Sequence, residues 1–247
     1  MSAIASAVGD ASNPSEVLYL VAQVFLRQAL DLLHSSVRTD DQLAATSRLS
    51  PGSSVGKHLR HLADHYKALL DALEGSATPS APSSSSASTS SDPRPPPSSS
   101  SAGTASGAAD SSHPPPSSAS SAAPITLDYD NRSRNVLAEH SHAAAVKQFE
   151  DLSARLERLM RKGTAIEAER EVRLTATTPV RVEVKTSFAR ELWFASFHAV
   201  HHFALIRVIV CGELGLTVPE DFGVAPSTLK ARESEGSAAA PSAPTKL

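Results

Sequence analysis

Four stretches of the chain repeat their apolar residues at helical spacing. The first, VLYLVAQVFLRQALDLL, runs to about Ser35, with Asn13 as its cap, Pro14 in its first turn and Glu16 placed to reach back. The second runs from Val55 to Glu74, with Ser54 as cap and Gly75 as stop. Val55, Leu59, Leu62, Tyr66, Leu69, Leu70 and Leu73 form its apolar stripe, and His58, His61 and His65 cluster along one edge of that stripe. The third covers His142 to Lys162 and ends at Gly163. The fourth, Phe188 to Gly215, holds no proline; Thr186-Ser187 marks its front and Gly215 with Pro219 its back. Ahead of it, Val172-Leu174-Ala176 and Val180-Val182-Val184 alternate with polar residues around Thr178-Pro179, which predicts a short hairpin.

Residues 36–54 are expected to be connecting chain, Ile125 to Asn135 to be where order resumes, and LTVPEDFGVAPSTLKARE to pack over one end of the helices. The fold class this implies is all-α: a four-helix bundle with a long crossover between its second and third helices, plus a small β-hairpin before the last long helix.

Composition explains the crossover. From Gly75 to Pro124 nothing apolar is larger than alanine or proline, so the segment cannot repay its own ordering entropy. Neither flank alone has enough helices to close a core, so residues 13–234 are expected to form one domain interrupted by a disordered Ser/Pro/Ala-rich insertion at 75–124. Residues 1–12 and 235–247 are expected to be disordered ends.

Charge and cysteine usage narrow the setting. A formal charge of -3 leaves no basic footprint for nucleic acid. The lone cysteine, Cys211, excludes an internal disulfide and is expected to be a small core residue of a chain in a reducing compartment. No basic residue precedes Arg27, unlike a signal or transit peptide. Phe194 to Cys211 is apolar enough to suggest a membrane span, but three histidines and Arg207 inside it argue against one. The expectation is a cytoplasmic protein with no membrane partner; the pattern fixes no oligomeric state.

The chemistry sits on the second and fourth helices. At about 100° per residue, His198 and His202 share one face of the fourth helix with Glu191, Ala195, Leu205 and Ile209. Trp193, Phe197, Val200, Phe203, Ile206 and Val210 cover most of the rest, so the helix is expected to be buried all round. Histidines there need partners. An i, i+4 pair delivers two imidazole nitrogens to one point, and a third from the neighbouring helix completes a facial trio for zinc, nickel or iron(II) with open positions left over. A histidine pair hydrogen-bonded to backbone is the competing reading. Periodicity does not choose among His58, His61 and His65 as the third nitrogen.

HLRHLADHY in the second helix and HAVHHFALI in the fourth resemble the DinB-like family, together with the helix order and the closing ELGLTVPEDFGVAPSTL stretch. Members are four-helix bundles that hold a divalent metal through three histidines. The resemblance implies His61, His198 and His202 as the metal ligands, and a metal-dependent enzyme acting on a small-molecule substrate. Its relatives are similar to thiol-dependent transferases and isomerases and to part of sulfoxide synthases, so a hydrolase and a transferase with a thiol cosubstrate both stand. A non-catalytic metal-binding or partner-binding bundle is the alternative.

Other residues have two readings each. Glu191 either orients a ligand imidazole or acts as a base, or else it favours the helix dipole. His65 and His201, like His58, are either groups that support the ligands or shuttle protons beside the metal, or surface and boundary histidines. Tyr129, Arg132 and Arg134 either line the pocket mouth and hold an anionic substrate, or belong to a loop tied by local hydrogen bonds.

Overall fold

The computed structural model describes residues 13–77, 123–131, 136–163, 168–177 and 179–238. Residues 78–122 of the expected insertion and the expected disordered ends 1–12 and 239–247 lie outside the described residues, whereas 235–238, expected in the disordered tail, are helical.

Helix α1, Pro14–Ser35, starts where the sequence places it: the Asn13 carboxamide oxygen accepts from Ser15 N at 2.9 Å, and proline occupies the first turn. Its face of Tyr19, Ala22, Leu26, Ala29 and Leu33 is buried. A short helix α2, Asp40–Ala44, lies in the stretch expected to be connecting chain. It is held by a reciprocal capping box between Thr39 and Gln42, a signal carried by two residues and no hydrophobic period. Helix α3, Val55–Ala77, begins with the Ser54 hydroxyl accepting from Lys57 N at 3.2 Å and continues two residues past Gly75.

Helix α4, His142–Lys162, is capped by Ser141 and closed by Gly163 at φ 103°. Helix α5, Phe188–Arg207, has Ser187 as its cap and runs on as a π turn over Val208–Glu213. A last helix, α6, spans Pro226–Ala238.

The four long helices pack pairwise: α1 against α4 and α5, and α3 against α4 and α5. Their shared core includes Tyr19, Leu26, Leu33, Leu59, Tyr66, Leu69, Phe149, Leu156, Phe188 and Phe203, each essentially without solvent contact. Each such side chain contributes about 1.5–3 kcal/mol through its removal from water. Helices α1 and α5 (with its π turn) are long and apolar enough to cross a membrane, at mean hydropathies of 1.2 and 1.5, yet each turns one face into this core.

The structure is mostly helical with one small sheet. Strand β1 (Ile125–Asp128) extends the expected hairpin of β2 (Glu171–Thr177) and β3 (Arg181–Ser187) to three strands. β2 and β3 pair antiparallel as expected, and β1 joins β2 in parallel, Ile125 opposite Val172 and Leu127 opposite Leu174. Ile125 and Leu127 are buried while Thr126 is exposed, the alternation of a strand. A four-residue strand whose partner lies some 45 residues on leaves too short a period to recognise.

Two further expectations change. α5 is not buried all round: Trp193, Phe197 and Val208 are 47%, 57% and 49% exposed on its outer face, because α1, α3 and the sheet cover only its inner side. Cys211 is also exposed rather than part of the core. It lies in the π turn, where one added residue per turn rotates the wheel out of α-helical register.

The segment after α5 does pack over one end. Arg207 donates to the carbonyls of Pro219, Glu220 and Phe222 at 2.9–3.1 Å, and Phe222 stacks near Phe203 with centroids 4.8 Å apart. Gly223, at φ 72°, sits so close to the Phe203 and Ala204 backbone that a Cβ would come within 2.7 Å.

Candidate metal centre

The histidines of α3 are set by how that helix is anchored. Gly56 lets its first turn press against the 3₁₀ turn Leu137–Glu139; a Cβ there would collide with the Glu139 carbonyl. Arg60 then bridges Asp64, at 2.6 Å, and the buried Glu139, at 2.9 Å. On the facing helix, the Tyr66 hydroxyl donates to Ser196 Oγ at 3.2 Å, and Ser196 donates to the Leu192 carbonyl at 2.9 Å. These contacts fix the rotation of α3 against α5, and with it the direction of the imidazoles.

His61, His198 and His202 come together, with ligand atoms all within 4.8 Å of one another. His198 Nε2 faces His61 Nε2 at 3.3 Å and His202 Nε2 at 3.0 Å. A neutral ring nitrogen carries either a proton or a lone pair, so one nitrogen facing two others is poorly served by hydrogen bonds alone. Three lone pairs converging on one cation satisfy all three rings. Metal–imidazole bonds of about 2.0–2.1 Å put neighbouring ligand nitrogens about 2.9–3.4 Å apart, and the two observed spacings fit. Three imidazoles without a thiolate form a borderline donor set of the kind that suits zinc, nickel or iron. The residues present therefore fit a divalent ion.

Electrostatics favours the same state. Burial, followed by the neighbouring histidines, lowers the pKa of His198 to about 4 and of His202 to about 2. His58 is lowered as well, first by burial and then by His201. At neutral pH these rings are unprotonated, the form a metal requires.

The residues around the trio divide. His65 is buried, and its Nδ1–H donates to the His61 carbonyl at 3.0 Å. Its ring lies 4.4 Å from that of His198 and 4.7 Å from that of Tyr129. Tyr129 donates to Glu191 Oε2 at 2.9 Å, while Arg190 donates to Oε1 at 2.9 Å. Glu191 is fully buried with both oxygens engaged there. Burial, then the Glu191 carboxylate, pushes the Tyr129 hydroxyl far above its ordinary pKa. His201 is exposed, its ring 5.1 Å from that of His202 on the outer edge. Arg132 and Arg134 lie outside the described residues.

Of two further neighbours, His58 is one of the histidines the sequence offered as a group beside the metal, and Phe194 is one it did not single out. His58 Nδ1 meets His202 Nδ1 at 3.0 Å; the signal available was its position seven residues before His65, on the same face of α3. Phe194 stacks on His198 at 5.6 Å, and the Arg190 guanidinium lies over the Phe194 ring, 5.1 Å from its centroid. A groove of about 840 Å³ lies elsewhere, between α3 and α4, lined by Asp64, Lys67, Asp71, Lys147, Asp151 and Arg155. It includes none of the site histidines.

The family model of the DinB superfamily matches residues 24–206, a span that includes both histidine helices. The chain belongs to the DinB superfamily. Within the matched span three histidines, His61, His198 and His202, come together from two helices. It is also similar to FK506-binding protein 5 of Rhizopus delemar, at 38% identity over 108 residues. That match covers 42% of this DinB chain and 27% of the relative, so the chain spans only about a quarter of that longer protein. No solved structure matches.

Proposed function

We propose that this chain is a cytoplasmic, metal-dependent enzyme whose divalent ion, zinc, nickel or iron, is held by His61, His198 and His202. The observation that carries the reading is the convergence of three ring nitrogens from two helices, two of them on rings kept neutral by burial. The helices α1, α3, α4 and α5 are then the four members of the family's bundle, with the insertion in the crossover between the second and third of them. Such an ion supplies Lewis acidity toward a water or a thiolate, which suits hydrolysis or thiol-dependent group transfer on a small molecule.

The chain's own residues supply the surroundings. His65 spends its Nδ1 proton on the His61 carbonyl, so its Nε2 carries the lone pair and can accept a proton. Tyr129 walls the site beside His65 and is held there by Glu191. Phe194 shields one side of His198 from water.

The test is elemental analysis of purified protein, wild type beside His202→Ala, each reloaded with zinc, nickel and iron. About one equivalent in the wild type and less than a tenth of that in a folded variant is expected. No metal in a folded, reloaded wild type would sink the reading. A second reading, a non-catalytic partner-binding bundle, is favoured by the stacked pair Trp193–Phe197, which is exposed on the outer face of α5. It predicts that a partner survives loss of the metal.

A further inference from the structure

We infer that His58 is a positioning residue for the metal centre: it accepts a hydrogen bond from His202 and so holds that ligand in its metal-binding tautomer. The inference rests on the three-histidine reading and adds to it a fourth histidine that touches no metal. His58 Nδ1 and His202 Nδ1 are 3.0 Å apart, a spacing that requires one proton, and only one, between two neutral rings. His202 points its other nitrogen, Nε2, at His198 Nε2, 3.0 Å away. That same nitrogen belongs to the ligand trio only if it carries a lone pair. The His202 proton must then sit on Nδ1, and the proton of the contact belongs to His202. His58 Nδ1 accepts it, which leaves the His58 proton on Nε2.

Without the ion the chain His58–His202–His198 has two self-consistent proton patterns. In one, His202 Nε2–H donates to His198 and His58 Nδ1–H donates to His202. In the other, His202 Nδ1–H donates to His58. Only the second leaves His202 able to ligate. In the second pattern the His58 proton sits on Nε2, a buried atom with no hydrogen-bond partner among the described residues. An acceptor behind a ligand imidazole is generally worth about 10–100-fold in metal affinity.

The experiment compares zinc affinity, by competition with a chromophoric chelator, for the wild type, His58→Leu and His58→Asn in the full chain. The asparagine oxygen can take the place of Nδ1 as acceptor, whereas leucine offers none. The expected result is a loss of about 10–100-fold for His58→Leu and recovery to within about fivefold for His58→Asn, with both variants folded by circular dichroism. Long-range ¹H–¹⁵N correlation spectra of the zinc-loaded wild type should show His58 as the Nε2–H tautomer. A wild type that holds zinc while His58→Leu binds equally tightly overturns this inference alone. So does a zinc-loaded His58 carrying its proton on Nδ1. A folded wild type that holds no metal overturns both this inference and the proposed function.

Discussion

The two faces of α5 each carry an exception to the usual arrangement. Its inner face buries Glu191, Ser196 and His202, and its outer face leaves Trp193, Phe197 and Val208 in contact with solvent. Buried polar groups are tolerable only with partners, and each inner one has them: Glu191 has Tyr129 and Arg190, Ser196 has Tyr66 and the Leu192 carbonyl, and His202 has His58 and His198. The outer aromatics Trp193 and Phe197 stack on each other at 5.4 Å and 8°. One helix thus buries three partnered polar groups among apolar core residues such as Leu192, Ala199 and Phe203, and leaves two stacked aromatics in contact with solvent. Stability alone would select neither exception, so the buried polar groups mark where function has shaped the sequence.

The largest effect that sharpens this contrast comes from two phenylalanines on the same helix. Phe203 is 1% exposed and packed between Phe25 and Phe222, whereas Phe197 is 57% exposed. Phe203→Ala is expected to cost about 3–5 kcal/mol and Phe197→Ala less than about 1 kcal/mol, read by urea unfolding of metal-free protein. Similar losses would mean that the outer face is covered in solution and that the two faces are not opposites.

A smaller effect comes from pH. His198 and His202 have ordinary pKa values of 6.5 that fall to about 4 and about 2 in the folded chain. Between the unfolded and folded values the unfolded chain binds more protons, so acid favours unfolding. Their contribution is complete above pH 6.5 and is lost as the pH falls toward 4 and below. The metal-free wild type should lose unfolding free energy steadily between pH 6.5 and 4, and His198→Leu should lose it less steeply. Parallel slopes would show that the inner histidines are better hydrated than the geometry suggests.

How far the sequence carried this picture depended on whether a property repeats along the chain or arises across it. The four long helices were legible because their apolar residues recur every three or four positions and their caps are local. The pairing of His198 with His202 was legible for the same reason. That His61 rather than His58 or His65 meets them depends on the rotation of α3, which Gly56 and Arg60 set through Glu139, some 80 residues away. Strand β1, the Glu191–Tyr129–Arg190 cluster and the bare outer face of α5 are likewise products of packing. Cys211 was misplaced because the π turn breaks the period on which its assignment rested.

The smallest expected effect falls on the histidine beside the boundary between the two faces. His201 adjoins His202 in sequence, but its exposed ring lies 5.1 Å from that of His202 and 5.9 Å from that of His198, and it is outside the converging trio. If the face rather than the neighbourhood decides what a histidine does, removing it changes little, because its ring offers no nitrogen to the converging trio. His201→Ala should keep zinc affinity within about twofold of wild type, the scale of an ordinary surface substitution. The readout is the same chelator competition in which His202→Ala abolishes binding. A tenfold loss would place His201 among the groups that shape the centre, and the division of α5 into a chemical face and a bare one would have to be redrawn to include the edge.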